Sequence, residues 1–147
     1  MKTIAAHLHE KGLKVTPQRI AIYSYLQSTK AHPSAETIFK LLEPTNPTMS
    51  LATVYKTLDA FEKVGLVMEL NVGEGRSRYD AEVRSHPHLV CRTCGEVYDL
   101  PCDALTGLRE AAQILTDFEI ESEQLYFYGK CAHCQEKERE EKHERSK

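Results

Sequence analysis

Two Cys-x-x-Cys pairs constrain this chain more than any other feature. Cys91-Arg92-Thr93-Cys94 and Cys131-Ala132-His133-Cys134 are separated by the 36 residues 95–130, with a fifth cysteine, Cys102, between them. Each pair is a tight turn that presents two sulfurs on one side, so together they can close a tetrahedral zinc shell. The rival reading is a redox dithiol, but one pair would suffice for that, and neither lies in a thioredoxin-like strand–helix context. A closed four-sulfur site leaves no open position for a substrate, so its job is to hold a fold together. His133, inside the second pair, reads as a solvated turn residue.

Five cysteines are too few, and too odd in number, for a secreted disulfide framework. The opening MKTIAAHLHEKGLK has no long apolar run and no small-residue cleavage site, so the expected compartment is the cytoplasm. No run of about 18 apolar residues is present, which excludes a membrane-spanning helix. With 28% charged and 41% hydrophobic residues among 147, the chain is globular and makes one domain or two small ones. A small domain buries little core and benefits from a metal staple.

The net charge of −3 argues against a nucleic-acid partner until the chain is divided at Asp80. Residues 1–80 hold ten Lys or Arg against eight Asp or Glu, a balance of +2; residues 81–147 hold nine against fourteen, a balance of −5. All five cysteines fall in the acidic part, four of them in the two pairs, with His86 and His88 close to the first pair. Two domains are expected, 1–80 with the hinge and 81–147, the latter ending in a charged tail from about 135.

The first part reads as four helices and a hairpin. A weak first helix spans 3–11 through Ile4, Ala5 and Leu8. Thr16 followed by Pro17 is a strong helix start, and Ile20, Ile22, Tyr23 and Leu26 carry that helix to about Ser28. Ser34 caps a third helix with Ile38, Leu41 and Leu42, ended by Pro44. Ser50 precedes a fourth, with Leu51, Val54, Leu58 and Phe61 on one face and Gly65 as its stop. LVMELNV and RSRYDAE, joined through Gly73, Glu74 and Gly75, make a two-stranded wing. This order is that of a winged helix, whose last helix enters a major groove. Its outer face offers Ser50, Ala52, Thr53, Tyr55 and Lys56: small residues for close approach, hydroxyls for phosphates, methyls for thymine and a cation for phosphate or guanine. The same face is equally well read as the solvated side of an amphipathic helix. Arg76 and Arg78 on the wing, with Lys14 and Arg19 near the second helix, add phosphate-binding charge.

A second ligand set lies beside the first cysteine pair: Asp80, His86, His88 and Asp99. His86 and His88 alternate on an extended segment and so point the same way. Imidazole and carboxylate without thiolate suit Fe(II), Mn(II) or other first-row divalent ions. The bland alternative is a polar hinge with ordinary surface histidines and aspartates.

Taken in order, Thr16-Pro17-Gln18-Arg19, Ala31-His32-Pro33-Ser34-Ala35, Met49-Ser50-Leu51-Ala52-Thr53-Val54-Tyr55, Gly65-Leu66-Val67, His86-Pro87-His88 with Cys91-x-x-Cys94-Gly95, and Tyr128-Gly129 before Cys131-x-x-Cys134 resemble the ferric uptake regulator (Fur) family. The resemblance runs from about residue 12 to 134. It implies an α+β protein: an N-terminal winged helix-turn-helix domain and a C-terminal α/β dimerisation domain with structural zinc. It implies a homodimeric, metal-dependent transcriptional repressor, not an enzyme, that binds an inverted-repeat operator in double-stranded DNA without contacting membrane. By the same resemblance Cys91, Cys94, Cys131 and Cys134 are the zinc ligands. His32, which spacing does not reveal, joins Asp80, His86, His88 and Asp99 as a regulatory Fe(II) or Mn(II) site. DNA contacts are expected from Arg19, Ser50, Ala52, Thr53, Tyr55, Lys56 and Arg76.

Within the family, peroxide-sensing (PerR) members resemble this chain in having Asp at the position of Asp99, where iron sensors typically have Glu. Zinc sensors usually place a cysteine in the regulatory shell, and none is available. Ser85 and Pro87, at positions often ligating in iron sensors, cannot ligate. The implied function is peroxide sensing through metal-catalysed oxidation of His32 or His86; the alternative is an iron-responsive repressor of iron-uptake genes. Lys56 departs from both branches, which more often carry Asn or Arg there. A hydrolytic metalloenzyme is disfavoured because five protein ligands leave little room for water and substrate. A protein-interaction zinc module would lack metal-dependent DNA binding.

Further expectations concern packing. Leu105, Leu108, Ala112 and Leu115, in the segment Ala104 to Thr116, recur at helical spacing and are expected to pack on strands including Gln124 to Tyr128. QEKEREEKHERSK, without apolar residues, is expected to be a frayed helix end or disordered. His7, His9 and His143 are expected at the surface.

Overall fold

Four hydroxyl side chains set where helices begin in the N-terminal part. Thr3, Thr16, Ser34 and Ser50 each accept a hydrogen bond from the backbone N–H three residues on, at 3.1, 3.1, 3.2 and 3.1 Å. Each satisfies one of the N–H groups that a helix start leaves without an internal partner. The helices that follow are α1 (Ile4–Glu10), α2 (Pro17–Ser28), α3 (Ala35–Leu42) and α4 (Leu51–Lys63), with a 3-10 turn at Glu43–Thr45 where Pro44 ends α3. Gly65 takes φ +76° directly after α4, the left-handed position that only glycine adopts freely. Then β1 (Met68–Asn71) and β2 (Ser77–Asp80) pair antiparallel, Met68 opposite Asp80, to form the wing.

The computed structural model describes residues 2–73, 76–84, 86–100 and 107–146. Glu74 and Gly75 of the wing turn, Ser85, and the segment 101–106 with Cys102, Ala104 and Leu105 lie outside the described residues. The chain divides into two compact units, Met1–Val83 and Arg84–Lys147, three residues beyond the Asp80 boundary expected from charge.

The first unit has a true apolar core. Leu8, Ile22, Leu26, Ile38, Val54, Leu58 and Phe61 are at most 2% exposed, and Tyr23 packs edge-on against Phe61. Leu41, assigned to the apolar face of α3 by spacing, is instead exposed. His7 is not a plain surface residue either: it is half-buried, its ring edge-on to Tyr23 at 5.7 Å.

The second unit is built differently. Strand β3 (His88–Cys91) lies between β4 (Val97–Asp99), antiparallel, and β5 (Tyr126–Gly129), parallel, in the order β4-β3-β5. Helices α5 (Leu108–Ile114) and α6 (Ala132–Arg145) complete it. Its buried described residues are few: Pro87, His88, Val90, Cys91, Val97 and Cys134. Three of those six are candidate metal ligands, so this unit has little hydrophobic core to stand on without a metal.

Two expectations fail here. Helix α5 buries none of its residues, and Ile114 and Leu115 are 86% and 85% exposed, so the apolar spacing of Leu108, Ala112 and Leu115 does not mark a face packed on the sheet. The charged tail is neither frayed nor disordered: α6 runs through it to Arg145. Its residues are good helix formers, Lys142 pairs with Glu138 one turn back at 3.2 Å, and Lys142, His143 and Arg145 lie at the C-terminal end where the helix dipole favours cations.

Candidate metal centres

The cysteine cluster follows from strand register. Cys91 ends β3 opposite Gly129 of β5, two residues before Cys131, so the parallel pairing brings the second turn beside the first. Arg92 N–H donates to the Gly129 carbonyl at 2.8 Å, and Gly95, at φ +79°, closes the first turn by donating to the Cys91 carbonyl at 2.9 Å. Cys131 is the N-cap of α6 and Cys134 lies in its first turn. His133 also lies in that turn, exposed, on a helix and not in a loop.

The donor set fits zinc. Cys91 Sγ and Cys134 Sγ are 3.8 Å apart, Cys94 Sγ and Cys131 Sγ 3.9 Å, and all four sulfurs lie within 4.8 Å of one another. Zinc–sulfur bonds of about 2.3 Å give a tetrahedral edge of about 3.8 Å. None of the four forms a disulfide. The backbone N–H groups of Cys94 and Cys131 point at Cys91 Sγ from 3.5 and 3.3 Å and bring that thiol down to about 5, so it presents a thiolate at neutral pH.

The other ligand set is divided between the units. In the first, His32 Nε2 lies 3.2 Å from Asp80 Oδ2, with the His32 side chain 1% exposed. His32 stands at φ +51° in the loop before α3, and Asp80 ends β2. In the second, His88 opens β3 directly opposite Asp99 of β4. His86 Nε2 and His88 Nε2 both face Asp99 Oδ1, at 2.9 and 3.4 Å, and the two rings sit 4.3 Å apart, on the same side as alternation predicts. His86 Nδ1 lies 2.6 Å from the Arg84 carbonyl. A carbonyl at Nδ1 fixes the proton there, which leaves Nε2 a lone pair aimed at a carboxylate. Two imidazole nitrogens and one carboxylate oxygen converging in this way make a cation's cradle.

The residues expected to contact DNA fall on α4, the wing and α2. Ala52, Tyr55 and Lys56 are exposed on α4. Ser50 and Thr53 hydroxyls serve its start, 2.9 Å from one another. The Tyr55 hydroxyl is engaged, donating to Glu36 of α3, so its ring is held in place from outside its own helix. Arg19 donates to the Lys14 carbonyl at 3.0 Å, and Arg76 is exposed in the wing turn. Arg78 departs from its expected role: its guanidinium turns onto the carbonyls of Ala31 and His32 and not outward toward phosphate. The sequence points Arg78 at phosphate and does not point to Glu36 at all, because both act through partners distant along the chain.

A winged helix followed by an α/β unit with four clustered cysteines, and imidazole–carboxylate pairs able to hold a metal in both, fits the class of metal-responsive winged-helix regulators. The profile of the ferric uptake regulator family matches residues 10–128. The transcriptional regulator PerR of Clostridium acetobutylicum is 53% identical over 93% of this chain and 99% of its own. The peroxide-responsive repressor PerR of Staphylococcus aureus strain Mu50 is 39% identical over 90% and 89%. Among solved structures, the Vibrio cholerae ferric uptake regulator superposes with a TM-score of 0.72 at 34% identity, covering 85% of this chain and 97% of that one. The chain belongs to the ferric uptake regulator family of transcriptional regulators. Among the described residues, no helix is long and apolar enough to cross a membrane.

Proposed function

We propose that this protein is a cytoplasmic, homodimeric repressor that binds an inverted-repeat DNA operator when its regulatory site holds Fe(II) or Mn(II), and releases it when hydrogen peroxide oxidises a histidine of that site. The observation that carries the reading is the convergence of His86 Nε2 and His88 Nε2 on Asp99 Oδ1, a donor set of nitrogen and oxygen alone. Such a set holds a redox-active first-row ion without offering it a thiolate. The names of two relatives support the same reading: both are called PerR, and the Staphylococcus aureus one is called a peroxide-responsive repressor.

In this reading Cys91, Cys94, Cys131 and Cys134 hold zinc permanently and keep β3, β5 and α6 together. His32 and Asp80 from the first unit join His86, His88 and Asp99 from the second around one ion, which fixes how the DNA-reading units of the dimer are presented. Half-sites of a palindrome follow the groove repeat, so a change of orientation is enough to lose affinity. Arg19, Ser50, Ala52, Thr53, Tyr55, Lys56 and Arg76 supply the contacts on DNA.

Fe(II) held by His32, Asp80, His86, His88 and Asp99 would supply the redox chemistry that opens the O–O bond, which Mn(II) performs poorly, while the two electrons that peroxide gains overall come from the imidazole that is oxidised. His32 or His86 receives one oxygen atom of peroxide on a ring carbon, and the other oxygen leaves as water. An oxidised imidazole is a poorer donor, so that histidine no longer joins its unit to the shared site, and repression ends. The test is anaerobic treatment of the Fe(II) protein with one equivalent of peroxide, followed by peptide mapping and operator binding, with the Mn(II) protein alongside. Oxygen is expected on His32 or His86 with loss of DNA binding in the Fe(II) sample only. Unmodified histidines with Fe(II)-dependent DNA binding retained would instead identify an iron-responsive repressor.

A further inference from the structure

The loop that carries His32 is held from β2 by two adjacent residues. Arg78 Nε donates to the His32 carbonyl, and Arg78 Nη2 donates to the Ala31 carbonyl at 3.2 Å. The next residue, Tyr79, donates its backbone N–H to the Pro33 carbonyl at 3.0 Å. Three consecutive carbonyls are thus tied to one strand, and the same strand ends in Asp80, whose Oδ2 faces His32 Nε2 at 3.2 Å.

The tie has a reason. His32 is the one non-glycine residue at positive φ among the described residues, at +51°. A side chain in the left-handed region is strained and persists only where its surroundings over-determine it. A planar guanidinium can reach two neighbouring carbonyls at once through donors fixed in one fork, which a lysine cannot reproduce.

We propose that Arg78 is a positioning residue of the regulatory metal site: it locks the left-handed backbone of His32 so that the imidazole meets Asp80, and it is not a phosphate contact of the wing. This rests on the reading of His32 and Asp80 as metal ligands. Without the clamp, the Ala31–His32 backbone relaxes toward negative φ and the imidazole swings from Asp80. Residues that orient a metal ligand typically change affinity by about ten- to a hundredfold when removed.

The test uses zinc-loaded, full-length protein titrated with Mn(II) and followed by electron paramagnetic resonance, for the parent, Arg78→Ala, Arg78→Lys and His32→Ala. Arg78→Ala and His32→Ala are each expected to weaken Mn(II) binding by about ten- to a hundredfold, with Arg78→Lys between them and the parent. The operator affinity that Arg78→Ala loses is expected to return in excess Mn(II). In the Fe(II) form under peroxide, oxygen incorporation is expected to shift from His32 toward His86 in Arg78→Ala, a redistribution that a general loss of stability does not produce. Unchanged Mn(II) affinity in Arg78→Ala beside a weakened His32→Ala overturns the clamp. A DNA defect that persists at saturating Mn(II) overturns it as well, since it makes Arg78 a phosphate ligand. An unaffected His32→Ala is a different failure, that of the ligand assignment itself. Should Arg78→Ala not fold, Arg78→Lys carries the same comparison.

Discussion

At the scale of single residues, Tyr55 and Glu36 show how a side chain proposed to contact DNA is set by a partner on another helix. The Tyr55 hydroxyl, by hydrogen bonding, holds the Glu36 carboxyl below its ordinary value, and Glu36 in turn pushes the Tyr55 phenol up. A carboxylate with a depressed folded pKa contributes stability that is present above its unfolded value and lost as pH falls through the folded one. Tyr55→Phe is therefore expected to melt within about 4 °C of the parent at pH 7, since both groups are exposed, and to match it only once pH has fallen below the ordinary glutamate range and through the lowered Glu36 value. Its operator affinity falls several-fold while Mn(II) affinity is unchanged, because the ring is no longer held from α3; fluorescence anisotropy and a metal titration separate the two. A fall in Mn(II) affinity would place Tyr55 on the wrong side of the mechanism.

At the scale of elements, the contrast between α4 and α6 separates what is local from what is not. Helix α4 is capped by Ser50, carries its buried face through Val54, Leu58 and Phe61, and stops at Gly65, all of which stand in its own sequence. Helix α6 has none of these signs. Its first turn is pinned by Cys131 and Cys134, and beyond that its support among the described residues is exposed polar contacts, such as Glu138 with Lys142 and Gln135 with the Lys130 carbonyl. An isolated helix of 14 residues is marginal in water. Removal of zinc with a chelator is thus expected to melt α6 and lower the helical circular dichroism, whereas the first unit keeps its signal. A chelated protein with undiminished helix would remove the cysteines from their role as a staple. The same division explains what could be read in advance. Caps, the wing and both cysteine turns are encoded within a few residues. The exposure of α5 is not, since the spacing of Leu108, Ala112 and Leu115 records an apolar stripe but not what covers it. The left-handed His32 is held by Arg78 from 46 positions away, and nothing near His32 announces it.

At the scale of the whole molecule, the net charge of −3 is an average over a mildly basic first unit and an acidic second one. In the proposed reading the two are joined by shared ligands, so metal and operator must each tighten the binding of the other by the same factor. Mn(II) titrations with and without operator DNA, and operator titrations with and without Mn(II), are expected to give equal ratios; unequal ratios would mean that the metal does not act through the DNA-binding conformation. One short strand adds an order to this. His88 opens β3 and Cys91 closes it, so about 10 Å of a single strand separates a regulatory ligand from a zinc thiolate. In that reading the zinc held at Cys91 and Cys94 would fix the turn between β3 and β4, whose pairing sets His88 opposite Asp99. Assembly would therefore be sequential in the proposed reading: a newly made chain would acquire its sensing site only after it had been zinc-loaded. A zinc-starved cell would then derepress the same genes with no oxidant present, a false alarm written into the maturation of the sensor.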